Sequence, residues 1–427
     1  MQSRDFSKLW VGQSLSQLGS QIGSTALSFT AILVLNATPI QLGVLSAVRA
    51  VPVLLLGLLA GVWVDRLRRR SILIVADLGR AIILMAVPIA AVLGVLRIEV
   101  LYVVAMVVAA LAVFFDVAYP SFVPSLVLPE GLVRANSRLS ASESLAEIAG
   151  PGLGGALVQT LTAPFAIVFD SLSFIASVLS LLLIQQREPQ TQPAASDVGT
   201  VLREAGDGVR ASLTQPVLRA LLGHAAFTSV ADGIIGTLYA LYVVRELGLT
   251  PLLMGVVIGV GGVSALLGAL LAERAVMRFG LGKTLIGTGV FSWISVFLIV
   301  LANGPLSMTV PLLIASQAAD LMGMIFAINA LSLRQASAPN QLLGRVNAGM
   351  HVVGGVLLPV GALAGGLLAE RIGLRATLAV GMSIGAASMA WIVFSPIRNI
   401  VTTPVVRSAT TSPNTSIDLD SQQAIDI

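Results

Sequence analysis

The chain has 427 residues, of which 56% are hydrophobic and only 11% charged, with a net charge of +4 and a mean hydropathy of +0.93. Soluble domains carry about 25% charged residues, so this chain has too few to present a wetted surface to water. The absence of cysteine excludes disulfides, iron–sulfur clusters, thiolate zinc sites and cysteine nucleophiles, and two histidines leave little for a metal; the composition calls for no cofactor.

A helix needs about 20 mostly apolar residues to cross a bilayer. Twelve such spans are predicted, over residues 9–35, 40–64, 71–96, 99–123, 140–161, 164–184, 217–244, 252–273, 282–302, 306–331, 346–369 and 374–395. The first is too long for a signal peptide and lacks a small-residue cleavage site. A polar stretch from Gln185 to Leu213 parts the spans six and six. The expected organisation is an all-α membrane protein with an N-terminal half over 1–184, a cytoplasmic linker over 185–216, a C-terminal half over 217–395 and a disordered tail over 396–427, polar and aperiodic from 402 onward. Within the linker, residues 198–213 could form an amphipathic helix lying on the cytoplasmic surface, with Val201, Leu202, Val209 and Leu213 as its apolar face.

Basic residues orient the spans. With the N-terminus inside, the cytoplasmic segments hold 19 of the 25 lysines and arginines, including Arg66, Arg68, Arg69 and Arg70 after the second span and Arg134 and Arg138 before the fifth. Both termini are therefore expected in the cytoplasm of a cell-membrane protein. A shift of 211 residues maps Arg134 and Asn136 onto Arg345 and Asn347, and Gly150, Gly154 and Gly155 onto Gly361, Gly365 and Gly366. Five matches at one offset indicate two related six-helix halves, the parallel repeat of a carrier whose site lies between them.

Two blocks carry the sharpest signal. Residues 61–70 read GVWVDRLRRR, and 146–155 read AEIAGPGLGG. The first resembles the loop motif after helix 2 of the major facilitator superfamily, carried here by Gly61, Asp65, Arg66, Arg69 and Arg70, with Arg68 where the motif has a second glycine. The second resembles the helix-5 antiporter motif, with Ala146 at its first position followed by Gly150, Pro151, Gly154 and Gly155. Small residues at this spacing make a smooth face for another helix, and Pro151 removes one backbone hydrogen bond. The chain is also similar to the macrolide-efflux and siderophore-exporter branch of the twelve-helix drug/proton antiporters, through Asp77-x-x-Arg80, Asp170 and the run Tyr242 to Gly248. The resemblance implies the major facilitator fold. It also implies a conformational gate in which Asp65 faces the start of the eleventh span and Arg69 pairs with an acid low on the fourth, Asp116 being the candidate.

Ionisable residues at membrane depth mark function or a buried pair. The resemblance places the first, fourth, seventh and tenth spans around a central cavity and the third, sixth, ninth and twelfth outside it. Asp77 and Arg80, three residues apart on the third span, read as a structural ion pair, and Asp170 on the sixth as structural. Gln13, Gln17 and Gln21 form a polar stripe on the first span, and Arg49 lies near the midplane of the second. His224, Thr228 and Asp232 recur every four residues on the seventh, and Gln317 and Asp320 share a face of the tenth. Asp232 and Asp320 are the candidates for proton coupling, because a carboxylate in apolar surroundings favours its neutral form; a static polar network between the halves is the other reading. The remaining residues of these stripes are candidates for touching substrate.

The expected function is a proton-driven exporter of drug-like or amphipathic small molecules, acting by alternating access and complete within one chain. Its partners are the substrate, protons and the lipid bilayer. A carrier of another cargo (a siderophore, lysophospholipid or metabolite, taken up or expelled) and a transporter-like sensor without flux are the alternatives. An enzyme is not expected, as there is no nucleophile–base pair, metal cluster or phosphate-binding Gly-x-x-x-x-Gly-Lys-Ser/Thr loop. Nucleic acid has no support, the basic residues being spread over many loops.

Overall fold

Long apolar runs and the absence of any alternation of period two leave the backbone to satisfy its hydrogen bonds within helices. The computed structural model describes residues 4–64, 67–186, 198–339 and 342–401. Six long helices come first: α1 (Arg4–Phe29), α2 (Pro39–Val64), α3 (Arg69–Val92), α4 (Ile98–Phe122), α5 (Leu132–Leu161) and α6 (Ala163–Leu182). The linker helix α7 (Val198–Thr214) follows. Six more complete the fold: α8 (Pro216–Arg245), α9 (Pro251–Phe279), α10 (Leu281–Leu301), α11 (Leu306–Ser337), α12 (Leu343–Ile372) and α13 (Leu374–Val393). The seventh to twelfth predicted spans are thus α8 to α13. Among the described residues ten helices are long and apolar enough to cross a membrane, and α1 and α5 are the two long helices outside that set. Their polar residues are the reason: the glutamine stripe on α1, and Arg134, Arg138, Glu143 and Glu147 on α5, which starts eight residues before its predicted span.

Several helices are interrupted where the sequence or the site requires it. The end of α1 widens into a π-helical turn, Thr30–Val34. α3 breaks at Met85, where the ring of Pro88 conflicts with the carbonyl of Leu84 four residues back. α11 breaks at Ala319, whose N–H reaches Ser316 O at 3.1 Å, one residue tighter than an α-helix, so that Asp320 opens a new helical segment.

The end of the bundle that carries Arg68, Arg69, Arg70, Arg134, Arg138, Arg274 and Arg278 is called here the arginine-rich end. Around it the apolar core is split. Phe6, Leu9, Leu73, Phe122 and Leu181 form a cluster wholly within α1–α6, and Leu218, Leu285, Leu333, Val346 and Ile392 form one wholly within α8–α13. At the far end a single cluster joins the halves, with Phe29, Ile32, Leu45 and Ile167 beside Ile234, Leu238, Met254 and Met382.

Two seams connect the halves, α5 on α9 and α2 on α12. They are built from equivalent positions. A Cβ on Gly155 would strike Pro251 and Leu252 at the start of α9, and one on Gly366 would strike Pro39 and Ile40 at the start of α2. Gly255 lies against the Pro151 carbonyl, and Gly43 against that of Ala362. Gly150 and Gly154 pack on Gln21 and Thr25 of α1, and Gly361 and Gly365 on Val230 and Ile234 of α8. Each pair differs by 209 to 212 residues, so the offset found in the sequence is also an offset in contacts. Glycine serves here because backbone meets backbone.

One expectation needs correcting and another gains detail. The linker helix forms over the expected residues and packs on the start of α12. Gly208 touches the Arg345 backbone, Ser212 is buried, and Asp207 lies 3.8 Å from the Arg345 guanidinium. Leu213 faces outward and Val209 is half-buried, because the close approach is made by the small residues; the side chains of Val201 and Leu202 lie outside the described ones. The tail is ordered to Val401. Ile397 is buried, and the backbone N–H groups of Leu281 and Gly282 donate to the carbonyls of Val401 and Ile400, tying it to the start of α10. The predicted disorder from 402 onward lies outside the described residues.

Candidate functional site

Two cavities occupy the centre of the bundle. The first, of about 710 Å³, lies within the N-terminal half and runs from Gln21 and Ser24 towards Tyr119, Asn136 and Ser140 at the arginine-rich end. The second, of about 550 Å³, lies against the C-terminal half. Ser24 and Arg49 line both, so the two are compartments of one site.

The first helix supplies the polar wall. Gln17 and Gln21 line the first cavity, and Gln13 closes its edge by donating to Ser177 Oγ of α6 at 3.0 Å. Arg49 of α2 sits where the cavities meet, with no ion pair among the described residues. α8 contributes Asp232 and Tyr239 to the second cavity, and α11 contributes Gln317 and Asp320. Gln317 and Asp320 share a face, as their spacing predicts. Both fill the space left by Gly261 of α9, where a Cβ would come within 2.7 Å of Gln317 Nε2 and of Asp320 Oδ2.

His224 and Thr228 line neither cavity. The ring of His224 is 2.9 Å from Ser388 Oγ through Nδ1 and packs on Phe326 at 4.7 Å between centroids. Thr228 donates to the His224 carbonyl of its own helix at 2.9 Å. Steps of four residues drift by about 40° each on a helix of 3.6 residues per turn, so His224 and Asp232 stand about 80° apart. The stripe therefore leaves the cavity before it reaches His224.

The gate residues divide likewise. Asp65 and Arg66 lie outside the described residues, and Gly61 is helical near the end of α2. Arg69 donates to the Ser121 carbonyl at 3.1 Å instead of pairing with Asp116. Asp116 lies more than a turn above Ser121 and faces the first cavity. Arg70 donates Nε and Nη2 to the carbonyls of Leu181 and Leu182, each at 2.9 Å, closing the C-terminal end of α6. In the helix-5 motif, Ala146, Gly150, Pro151, Gly154 and Gly155 are all buried.

Sequence reasoning missed one part of the wall. The Asp77–Arg80 pair exists and is buried, yet its guanidinium reaches the first cavity. Arg80 lies between the rings of Phe115 and Phe174, 4.5 and 4.3 Å from their centroids, a desolvated cation–π arrangement worth about 2 kcal/mol. Asp170 also lines this cavity, 5% exposed, with Ser20 Oγ donating to it at 3.4 Å. The signal in the sequence was the glycine series Gly12, Gly19 and Gly23 on α1, which brings α6 so close that a Cβ on Gly23 would strike the Asp170 carboxyl. The site as a whole is acidic. Asp116, Glu143, Glu147, Asp170, Asp232 and Asp320 line the two cavities against Arg49 and Arg80.

The family model of the major facilitator superfamily matches residues 9–362, and the chain belongs to that family: it is a multi-pass membrane transporter and not an enzyme. It is 28% identical to the multidrug efflux pump Tap of Mycolicibacterium fortuitum over 375 residues, covering 84% of this chain and 88% of that one. Its fold is similar to a bacterial homologue of the iron transporter ferroportin in an inward-facing state, with TM-score 0.72, 19% identity, and 91% and 98% of the two chains covered. The nucleoside transporter NupG gives TM-score 0.70 at 13% identity, covering 91% of this chain and 98% of that one.

Proposed function

We propose that this transporter is a proton-coupled exporter of lipophilic, cationic, drug-like molecules, working as a monomer in the cell membrane by rocking its halves, 1–184 and 217–395, about the central site. The observation that carries the reading is the charge of the cavities: six carboxylates face two arginines. An enclosed space with that excess attracts cations and rejects anions, because its low-dielectric walls strengthen every interaction inside. The apolar remainder of the wall, including Leu27, Leu84, Val104 and Trp293, suits the body of an amphipathic cargo.

With the arginine-rich end in the cytoplasm, as the excess of basic residues there indicates, this conformation faces inward. The halves share their core at the far end and have separate cores at the arginine-rich end. Cargo enters from the cytoplasm or inner leaflet and meets Asp232 and Asp320 in the second cavity. A cation and a proton compete for the same carboxylates, so loading one expels the other. Alternation then delivers the cargo outside and returns the carrier with protons bound. The helix-5 motif and the similarity to a multidrug efflux pump both favour export.

A metal cargo has less support. Among the described residues no three His, Cys, Asp or Glu side chains are placed to hold one ion. In liposomes containing a pH dye, tetraphenylphosphonium is expected to drive proton movement that is diminished in Asp232→Asn or Asp320→Asn. Binding without proton movement in the native chain would reject coupling and leave a uniporter or a sensor.

A further inference from the structure

Three charged side chains from three helices line the wall of the first cavity, with Asp77 buried behind one of them. Asp77 and Arg80 come from α3, Asp116 from α4 and Asp170 from α6. Arg80 is held by Asp77 and by the rings of Phe115 and Phe174, so it is fixed in place and cannot turn to serve other carboxylates equally. Its Nε is buried without a hydrogen-bond partner, as is Asp77 Oδ2. Asp77 is 0% exposed and Arg80 7%. The charge of Arg80 is thus already matched by Asp77. Asp170 stands in the field of both, with one long hydrogen bond from Ser20 and almost no access to water.

Such a carboxylate requires a neutralising partner, since an isolated buried charge costs far more than one hydrogen bond returns. Its partners are Ser20 of α1, by hydrogen bond, and the charges of Arg80 and Asp77 on α3; the other charged groups lining the same cavity are Asp116 of α4, Glu143 and Glu147 of α5, and Arg49 of α2. Among the described residues no cation forms an ion pair with it, Arg80 being paired with Asp77. We propose that Asp170 is a second proton- and cation-exchanging site, in the N-terminal half, which gives up a proton to an organic cation independently of Asp232 and Asp320. Arg80, Phe115 and Phe174 position the site, and Gly23 leaves the room that its carboxyl occupies. This rests on the cation-exporter reading and adds to it a second exchange point in the other half.

The test is proton release on binding of tetraphenylphosphonium to the full chain in nanodiscs, followed with a pH dye in weak buffer. The Asp232→Asn/Asp320→Asn double variant is expected to keep part of the native release, and adding Asp170→Asn is expected to abolish that remainder. Asp170→Asn alone is expected to release less than the native chain. Equal release from Asp170→Asn and the native chain would overturn the inference, whereas equal release from the double variant and the native chain would overturn the coupling role of Asp232 and Asp320 and leave this one standing. Should Asp170→Asn fail to fold, the infrared difference spectrum of the double variant serves instead. A carboxylic-acid C=O band that disappears on cation binding supports the site, and its absence overturns it.

Discussion

Thr162 and Gly373, 211 residues apart, hold the same unusual backbone conformation, φ 74° and ψ 156° against φ 83° and ψ 164°. Each joins the fifth helix of a half to the sixth. Glycine adopts that conformation freely, while a β-branched residue at positive φ carries strain of about 1–3 kcal/mol. Thr162→Gly is therefore expected to raise the melting temperature in detergent, by the equivalent of about 1 kcal/mol after the added freedom of the unfolded chain is subtracted. Gly373→Thr is expected to lower it. Equal and small effects at both positions would contradict the strain.

The paired seams make a second prediction. Gly255 and Gly43 are in backbone contact with Pro151 and Ala362 across the halves, and Thr237 Oγ1 donates to Ser46 Oγ at 2.9 Å near the same end. Because the native chain has no cysteine, Ser46→Cys with Thr237→Cys gives a clean cross-linking pair. It is expected to oxidise readily in the conformation seen here. Adding Gly255→Val, which wedges the opposite seam, is expected to slow the oxidation by opening the far end. An unchanged rate would mean that the seam closes independently of this contact.

Arg49 makes a third. It lines both cavities without an ion pair among the described residues, so its charge opposes a cationic cargo in either. A unit charge within about 10 Å at an effective dielectric constant near 20 is worth roughly 1–2 kcal/mol. Arg49→Gln is expected to tighten tetraphenylphosphonium binding by about tenfold in an equilibrium assay at constant pH. Weaker or unchanged binding would show that Arg49 serves the fold or the cargo directly.

Acid sensitivity at the arginine-rich end makes a fourth. Asp5 accepts from Lys8 Nζ at 2.7 Å and from the backbone N–H groups of Gln185 and Gln186 at 3.0 and 2.9 Å, pinning the start of α1 to the end of α6. The Lys8 hydrogen bond, helped by the two N–H groups, holds its carboxyl below the usual range. A lowered value in the fold means a contribution complete above the unfolded carboxyl's pKa of about 3.9 and lost as pH falls through the lower, folded one. The stability difference between the native chain and Asp5→Asn is expected to be constant near neutrality and to shrink as pH falls below the unfolded carboxyl's pKa. A difference that grows on acidification would contradict the sign.

Most of the fold was legible in the sequence because the bilayer permits so few structures. Length and apolarity located every long helix, although Arg134 and Glu143 hid the true start of α5. The offset of 211 residues anticipated the seams because glycines are placed where backbones touch. The site was legible along each helix and not across the bundle. Asp232, Asp320, Gln317, Gln17 and Gln21 reach the cavities, since each lies on a helix that borders them. His224 does not, because its face has turned away over two helical turns. Asp170 and Arg80 do, although α3 and α6 are peripheral in the pattern. Their reach depends on how far a side chain extends between neighbours, here past the bare backbone of Gly23, and only packing decides that.

The central claim is that a proton gradient drives cations across this chain through Asp232 and Asp320. Proteoliposomes with a uniform protein orientation, an imposed pH gradient and a clamped membrane potential provide the direct measurement, with radiolabelled tetraphenylphosphonium at equal concentration on both sides. The account predicts uphill accumulation in the acidic compartment, abolished when the pH gradient is collapsed and strongly diminished in Asp232→Asn or Asp320→Asn. Accumulation that ignores the pH gradient, or that is undiminished by loss of both carboxylates, would contradict it.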